Sequence, residues 1–545
     1  MSSLSKRRAA PAAVGGSGSP QKKFEQGLRL QAQDRHEDAA ARFAKVLAAE
    51  PGHFGAIKGL AECLIALKRS DEATALLDRA AADAPDNEAY LFDLAALCAT
   101  VKYNPAAKAL YERLLALKPD KLGVLINLAN VVEELGETQY AVDLLSRAIE
   151  LYPAAPKAYG NLGKVLTGTS LFDDAMACYR RAIELDPKQS TVWTNLAALF
   201  EILGRHEEAL EALRTSLDLE PESDAARWNL ARALLTLGHI EAGWDMYGFG
   251  FACRQRQPYR PFPGFIWEGQ DLTDKTIMVW REQGIGDDLI FSTCYADLIA
   301  RAGHVIIETE KRLVPLYRRT FPEATVRAES WTSTGLGNYG AVDFDYTAPA
   351  GLVASQLRRG LDTFPARVHA LVPDPARVAE CRAWLDTLGP GPKIGIAWTS
   401  RKVDGIRALN YTKLADWKDL FATEGLSVVN LQYTDIGEEA EAFHRDFGLT
   451  LHRMPGLDLF SDLEGAAALS ACLDAAVAPP SFPVVLAAAL DVPTFYYGIP
   501  RSWSKLGADH LPWFPAMRCY GLDQTTDRPK LVARITADIR AQVGR

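Results

Sequence analysis

Residues 153–187 read PAAPKAYGNLGKVLTGTSLFDDAMACYRRAIELDP, and the proline at each end decides how the chain is organised. Pro51, Pro85, Pro119, Pro153, Pro187 and Pro221 follow one another at intervals of 34 residues, and twelve residues before each stands Ala39, Ala73, Ala107, Ala141, Ala175 or Ala209. Proline stops a helix and a small residue lets two helices approach closely, so the two in one register mark a stack of helical pairs. Within 153–187 the pair is filled out by Tyr159, Leu162, Gly163, Ala175 and Tyr179. Trp193, Leu196, Ala197, Phe200 and Ala209 repeat the pattern, and a seventh copy puts Gly243 in the alanine slot and Tyr247 four later. Seven repeats are predicted over 20–250. Each pair exposes an apolar face that only its neighbour can cover, which predicts an all-α superhelix with a long concave surface suited to an extended partner.

Period and residue types resemble the tetratricopeptide repeat, where Trp, Leu-Gly, Tyr, Ala, Phe and Pro recur in this order. First helices line the concave side in that family. Asn127, Asn161, Asn195 and Asn229 stand 34 apart, at the sixth position of four successive first helices. A carboxamide both donates and accepts, so such a ladder can hold a peptide main chain without reading its side chains. A comparable ladder binds polypeptide in the O-GlcNAc transferases that this half resembles. The competing reading is that Asn caps local structure.

Composition narrows the function classes. A chain of 545 residues, 48% apolar and 24% charged, is long enough for two to four domains. Its 60 Lys and Arg against 69 Asp and Glu leave a net charge of −9, which offers no general attraction to nucleic acid. Eight scattered cysteines with no C-x-x-C predict neither a disulfide framework nor structural zinc. Residues 1–19 carry charge without an apolar core, so a disordered tail is expected, not a secretory signal. The most apolar stretch, 465–490, is broken by Asp474, Pro479, Pro480 and Pro483 and reads as buried interior, not a membrane span. A cytoplasmic location is the expectation.

After Tyr247 the period stops. A linker over 251–272, rich in Arg, Pro and aromatics, leads into alternating strand and helix patterns. Thr276–Trp280 reads as a strand, 288–302 as a helix and 304–308 as the next strand. From Lys393 the pattern begins again, with KIGIAW, LSVVNLQ and LDAAVA as strands, helices near 414–421 and 438–447, and a helix opening at Pro483. This predicts two α/β halves, 273–385 and 386–545, with a cleft between them. Ligands in such units lie at the carboxyl ends of strands, beside helix N-termini. Three loops qualify. Glu282-Gln283-Gly284-Ile285-Gly286-Asp287-Asp288 has two glycines to turn the backbone and deliver a carboxylate. Thr399 to Arg407 brings Ser400, Arg401, Lys402 and Arg407. Ala478 to Pro483 places Ser481 at a helix start, and Gln432 closes the strand LSVVNLQ.

EQGIGDD after a strand, behind repeats that end Gly243-Trp244-x-x-Tyr247 and a Trp267-x-Gly269 linker, resembles bacterial proteins that join tetratricopeptide repeats to a GT-B glycosyltransferase. The second half is similar to heptosyltransferases and, more loosely, to O-GlcNAc transferase, and the layout is similar to flagellin glycosyltransferases. The resemblance implies a protein O-glycosyltransferase that holds flagellin and moves a sugar from a nucleotide donor to Ser or Thr without metal or other cofactor. It assigns the general base to Asp287, with Glu282 and Asp288 in reserve. Donor contacts then fall to Gly284, Gly286, Ser400, Arg401, Lys402, Arg407, Gln432 and Ser481, the cations facing the leaving phosphate. The competing reading of Asp287 is a cap on the helix at Asp288, and that of the cations a solvated loop.

One departure bears on the donor. Heptosyltransferases carry Asp-Thr/Ser-x-x-x-His where this chain has Pro480, Ser481 and Val485. That argues against ADP-heptose and leaves the donor open, with a CMP-activated nonulosonic acid favoured by the flagellin analogy alone. Gly335 to Gly340 matches G-x-G-x-x-G but follows no strand and precedes no helix. Asp343-Phe344-Asp345 matches a metal-binding D-x-D without the layout that motif needs, and the histidines show no metal-ligand spacing. Two alternatives remain: sugar transfer to lipopolysaccharide or another glycan, and a noncatalytic scaffold with a degenerate cleft.

Overall fold

The computed structural model describes residues 19–260, 262, 264–330, 342–401, 405–523 and 525–544. The expected tail, the G-x-G-x-x-G stretch and Lys402 fall outside them. Helices come in seven pairs among the described residues: α1 (Pro20–Gln31) with α2 (His36–Leu47), α3 (Phe54–Ala66) with α4 (Ser70–Ala82), α5 (Glu88–Thr100) with α6 (Asn104–Leu117), and α7 (Leu122–Glu134) with α8 (Thr138–Leu151). The last three are α9 (Pro156–Gly168) with α10 (Phe172–Leu185), α11 (Ser190–Ile202) with α12 (His206–Leu219), and α13 (Asp224–Leu237) with α14 (Ile240–Met246).

The repeat chemistry works as its spacing requires. Every alanine of the 34-residue register is at most 1% exposed. In the seventh pair a Cβ on Gly243 would sit 2.6 Å from Leu235 Cγ and 3.0 Å from the Ala231 carbonyl. Four residues on, Phe43, Leu77, Tyr111, Leu145, Tyr179, Leu213 and Tyr247 are all buried, so leucine serves that slot as well as an aromatic ring. A further register was not read from the sequence. Asp34, Lys68, Lys102, Gly136, Ser170, Gly204 and Gly238 all have φ between 57° and 85°, turning each first helix into its second. Only three are glycine, so the left-handed turn is fixed by the packing of the pair and tolerates a side-chain cost at the other four.

After α15 (Phe249–Ala252) the chain forms β1 (Phe265–Ile266), β2 (Thr276–Trp280), α16 (Ile285–Ser292), α17 (Tyr295–Ile299), β3 (His304–Thr309), α18 (Val314–Thr320), β4 (Thr325–Ala328), β5 (Tyr346–Pro349), α19 (Ala350–Leu357) and α20 (Pro375–Asp386). The second sheet region comprises β6 (Lys393–Ile396), α21 (Lys418–Phe421), β7 (Ser427–Asn430), α22 (Gly437–Phe447), α23 (Leu463–Ser470), β8 (Ala475–Ala478), α24 (Phe482–Ala489), β9 (Thr494–Gly498), β10 (Arg518–Gly521) and α25 (Arg528–Gln542). Both sheets are five-stranded and wholly parallel, ordered β1-β5-β2-β3-β4 and β10-β9-β8-β6-β7. Strands β6, β7, β8 and β9 are buried along their whole length, as a parallel sheet covered on both faces demands. The helix expected over 288–302 is two helices, α16 and α17, and it starts three residues early, so Gly286 and Asp287 lie inside α16 and not in a loop. Among the described residues no helix is long and apolar enough to cross a membrane.

The chain divides into two compact units, Met1–Val165 and Leu166–Arg545, so the last repeats belong to the same unit as the α/β layers. The reason lies in the last repeats. Trp228, Trp244 and Tyr247 share one hydrophobic core with Phe291, Leu506 and Trp513. Trp244 Nε1 donates to the Arg358 carbonyl at 2.9 Å, and Arg359 pairs with Glu241 and Asp245. The backbones of Gly238 and Gly507 meet so closely that a Cβ on Gly507 would lie 2.5 Å from Gly238 Cα.

Candidate functional site

The loop leaving β2 is bent by Gln283, with φ of 59°, and not by Gly284, whose φ of −84° any residue adopts. Gln283 N–H donates to the Gln257 carbonyl at 2.6 Å, and its Nε2 donates to Tyr247 Oη at 3.1 Å. Gly286 lies on the first turn of α16, and a Cβ there would meet nothing within 4 Å. The two glycines thus leave the start of α16 open; they do not form the turn.

Asp287 occupies the third position of α16 and accepts the Gly284 N–H at 3.1 Å. Half the capping-box pairing exists, and glycine has no side chain to return the other half. Burial pushes the Asp287 carboxyl up to about 6 against the pull of the Gly284 N–H; Glu282 adds to the rise, and Arg407 opposes it. Arg407 lies in the short helical turn Gly405–Asn410 beyond β6, so base and cation come from opposite halves.

Two expected reserves are corrected. Glu282 is fully buried, with Arg256 Nε donating to it at 2.6 Å and Gly351 N–H at 2.5 Å. Asp288 is also fully buried and accepts hydrogen bonds from Tyr295 Oη at 3.2 Å and from Thr309 Oγ1; burial raises it to about 6. Neither carboxylate has a face left for an acceptor hydroxyl.

On the other side, Ser400 Oγ lies 2.7 Å from Tyr433 Oη, and Arg401 N–H donates to the same oxygen at 3.4 Å. The Arg401 and Arg312 guanidinium groups sit 5.2 and 5.3 Å from the ring centre of Phe460, which is 43% exposed. Gln432 Oε1 accepts Trp398 and Thr399 N–H at 3.2 Å each, its Nε2 donates to Thr434 at 2.9 Å, and the residue lines the cavity past β7. Ser481 stands at the N-terminus of α24, its hydroxyl donating to the Pro479 carbonyl at 2.9 Å. A cavity of about 530 Å³ opens past the carboxyl end of β7, lined by Tyr433, Asp435, Arg453, Met454 and Asp458 among others. Of the residues expected at the donor site, Gln432 lines this cavity, whereas Arg453 and Met454 were not singled out, because the segment that bears them meets β7 through the Val429–His452 bridge. The D-x-D carboxylates are occupied, Asp343 by Arg327 and Asp345 by the Thr276 N–H.

In the first unit, Asn127 Nδ2 donates to Tyr111 Oη at 3.2 Å and Asn161 Nδ2 to Asn130 Oδ1 at 3.0 Å. Asn127 lines a cavity of about 240 Å³ with Asn104, Tyr111, Asn130 and Glu134. Asn104, Asn130 and Glu134 break the 34-residue period, so spacing could not reveal them. In the second unit Asn195 and Asn229 are half-buried on α11 and α13, with no hydrogen bond from either carboxamide among the described residues.

Fold and sites together define a helical-repeat protein continued by two parallel α/β layers. Models of the tetratricopeptide repeat match residues 30–98, 102–156, 156–189, 178–211 and 202–243, and the protein carries tetratricopeptide repeats. The chain is similar to Protein FlbA of Caulobacter vibrioides (strain ATCC 19089 / CIP 103742 / CB 15), at 34% identity over 318 residues. The match takes in 56% of this chain and 53% of FlbA, so the chain spans about half the length of that relative. Solved structures similar to it include a tetratricopeptide repeat protein from Parabacteroides merdae ATCC 43184 (13% identity, TM-score 0.36, 43% of this chain and 92% of that one). Others are YrrB, a TPR protein with an unusual peptide-binding site (21%, 0.24, 34% and 95%), and a thermophilic TPR protein of Thermus thermophilus (20%, 0.26, 40% and 100%).

Proposed function

We propose that the chain is a cytoplasmic glycosyltransferase of GT-B type, which holds a polypeptide acceptor on its repeats and moves a sugar from a nucleotide donor onto a Ser or Thr hydroxyl. The observation that carries the reading is Asp287, a carboxyl raised to about 6 by burial at the glycine-opened start of α16, with Arg407 of the other half within electrostatic reach. A base of that kind is matched to its task near neutral pH. Asp287 takes the acceptor O–H proton as the oxygen bonds to the anomeric carbon. The bond from that carbon to the phosphate oxygen breaks on the opposite face, inverting the centre. Arg407, Arg401 and the N-terminus of α24 stabilise the departing phosphate, and the cavity beyond β7 holds the nucleoside. No metal is required for this displacement.

The Asn127 cavity supports polypeptide capture, and the flagellin analogy names the first acceptor to test and a CMP-activated nonulosonic acid as the first donor. A noncatalytic scaffold is favoured by one observation: Val485 is apolar and buried where heptosyltransferases carry His. Intact-mass spectrometry of flagellin co-expressed with the chain decides between the two. A sugar mass added by the wild type and lost at least a hundredfold with Asp287→Asn is expected. Flagellin left unmodified by the wild type would favour the scaffold, and an unchanged Asp287→Asn rate would remove the base assignment.

A further inference from the structure

The seventh repeat and the linker reach the loop that carries Asp287, and they do so through polar contacts as well as packing. Gln283 makes the left-handed turn from β2 into α16, and two of its hydrogen bonds come from outside the sheet, to Gln257 of the linker and to Tyr247 of the repeats. One residue earlier, Glu282 is neutralised by Arg256, whose Nη1 also donates to the Tyr247 carbonyl at 2.9 Å. The Arg256 guanidinium lies 4.0 Å from the ring centres of both Tyr247 and Phe251. Tyr247 occupies the buried slot four residues after the small one, and here its hydroxyl meets the loop that carries Asp287.

We propose that Tyr247 and Arg256 are positioning residues of the transfer site, fixing the Gln283 turn and through it the orientation and charge surroundings of Asp287. The proposal rests on the reading of Asp287 as the base. A displacement of the seventh repeat moves Tyr247, which holds Gln283 through its hydroxyl and Arg256 through its carbonyl, so that repeat is mechanically joined to the group that activates the acceptor.

The groups that face Asp287 make the idea measurable. Glu282 lies on its own loop, Arg407 on the other half and Tyr247 on the repeats. Helices α24 and α19, which pack on α16, carry no charged residue, and α17 brings only Asp297, held by Arg358. Removing the Arg256 charge leaves Glu282 unopposed, and its field then holds the Asp287 proton more tightly.

The test uses the full chain. Carbodiimide activation needs a protonated carboxyl, so labelling of Asp287, read by peptide mass spectrometry between pH 4 and 9, reports its titration without any substrate. Arg256→Gln is expected to raise the midpoint by about one pH unit, and Arg256→Gln/Glu282→Gln to bring it back. In the sugar-transfer assay, Tyr247→Phe keeps the ring and loses the Gln283 bond; kcat is expected to fall about tenfold with donor KM unchanged. The acid limb of the rate profile should move with Arg256→Gln and stay with Tyr247→Phe. Should Arg256→Gln fail to fold, Tyr247→Phe decides. Unmoved labelling and unmoved kcat, with Asp287→Asn inactive, would overturn the positioning role and leave the base reading intact. A fully active Asp287→Asn overturns the base reading and this proposal's catalytic half, while the labelling shift still tests the coupling.

Discussion

Glycine does opposite work in the seventh repeat and at the start of α16. At Gly243 the missing side chain is filled by Leu235 and the Ala231 carbonyl, whereas above Gly286 there is open space. The first absence is consumed by packing and the second is left available, which separates a structural glycine from one suited to a ligand. Burial of charge divides along the same line. Arg256 and Glu282 are spent on each other inside the fold, while Asp287, a half-buried residue, has no cation among the described residues bonded to its carboxyl, which is raised to about 6.

The largest expected effect breaks the spent pair. Arg256→Met leaves Glu282 buried without its cation, and a loss of about 3–5 kcal/mol follows. Urea denaturation should show it, and Arg256→Met/Glu282→Gln should recover most of it. If the single variant costs under about 1 kcal/mol, the pair is not a structural anchor. Gly243→Val comes next, at about 1–3 kcal/mol, because the neighbouring backbone cannot yield as a side-chain tip can. Gly286→Ala has the opposite sign: alanine is favoured over glycine inside a helix by about 0.5–1 kcal/mol, so a small gain in Tm with a loss of transfer rate is expected.

Asp287 sharpens the contrast through pH. Its folded-state pKa is raised, so its ionised form opposes folding; the cost begins as pH rises past the unfolded value near 4 and is complete above about 6. Allowing for its partial exposure, Asp287→Asn should stabilise the chain by about 1–2 kcal/mol at pH 8 and by almost nothing at pH 4. Thermal melts at the two values check this. A gain of equal size at both would trace to packing instead.

The repeats were legible because one physical constraint, close approach of two helices, recurs every 34 residues and leaves the same signature each time. The seven pairs answer to that register, and in the Asn127 cavity Asn127 and Tyr111 do. The α/β half was legible only locally. Strands such as TIMVW announce themselves by continuous apolar character, but β1 has two residues and β4 is half-exposed, too little for a pattern. At the site, Asp287 stood out from its glycines, yet the influence of Arg407 from the other half shows only in space. The internal partners of Glu282 and Asp288 were hidden for the same reason. A polar residue at a strand end looks alike in sequence whether its partners are internal or a ligand. The linker arginines, unusual in a segment otherwise built of Pro and aromatics, were the one available hint that the halves are tied together.

The smallest effects test the register that spacing failed to reveal. Ser170 and Gly136 occupy the same turn in successive repeats, both with positive φ, at 65° and 82°. An L side chain there costs roughly 1 kcal/mol that glycine avoids, partly offset by the extra freedom glycine gives the unfolded chain. Ser170→Gly should therefore raise stability by about 0.5 kcal/mol, while Gly136→Ala should lower it by about 1 kcal/mol although nothing lies within 4 Å of the new Cβ. The signs must be opposite, since the backbone conformation and not the space decides them. Matching signs in equilibrium denaturation would show that the turn relaxes on substitution, and the left-handed register would then be a consequence of its residues and not of helix packing.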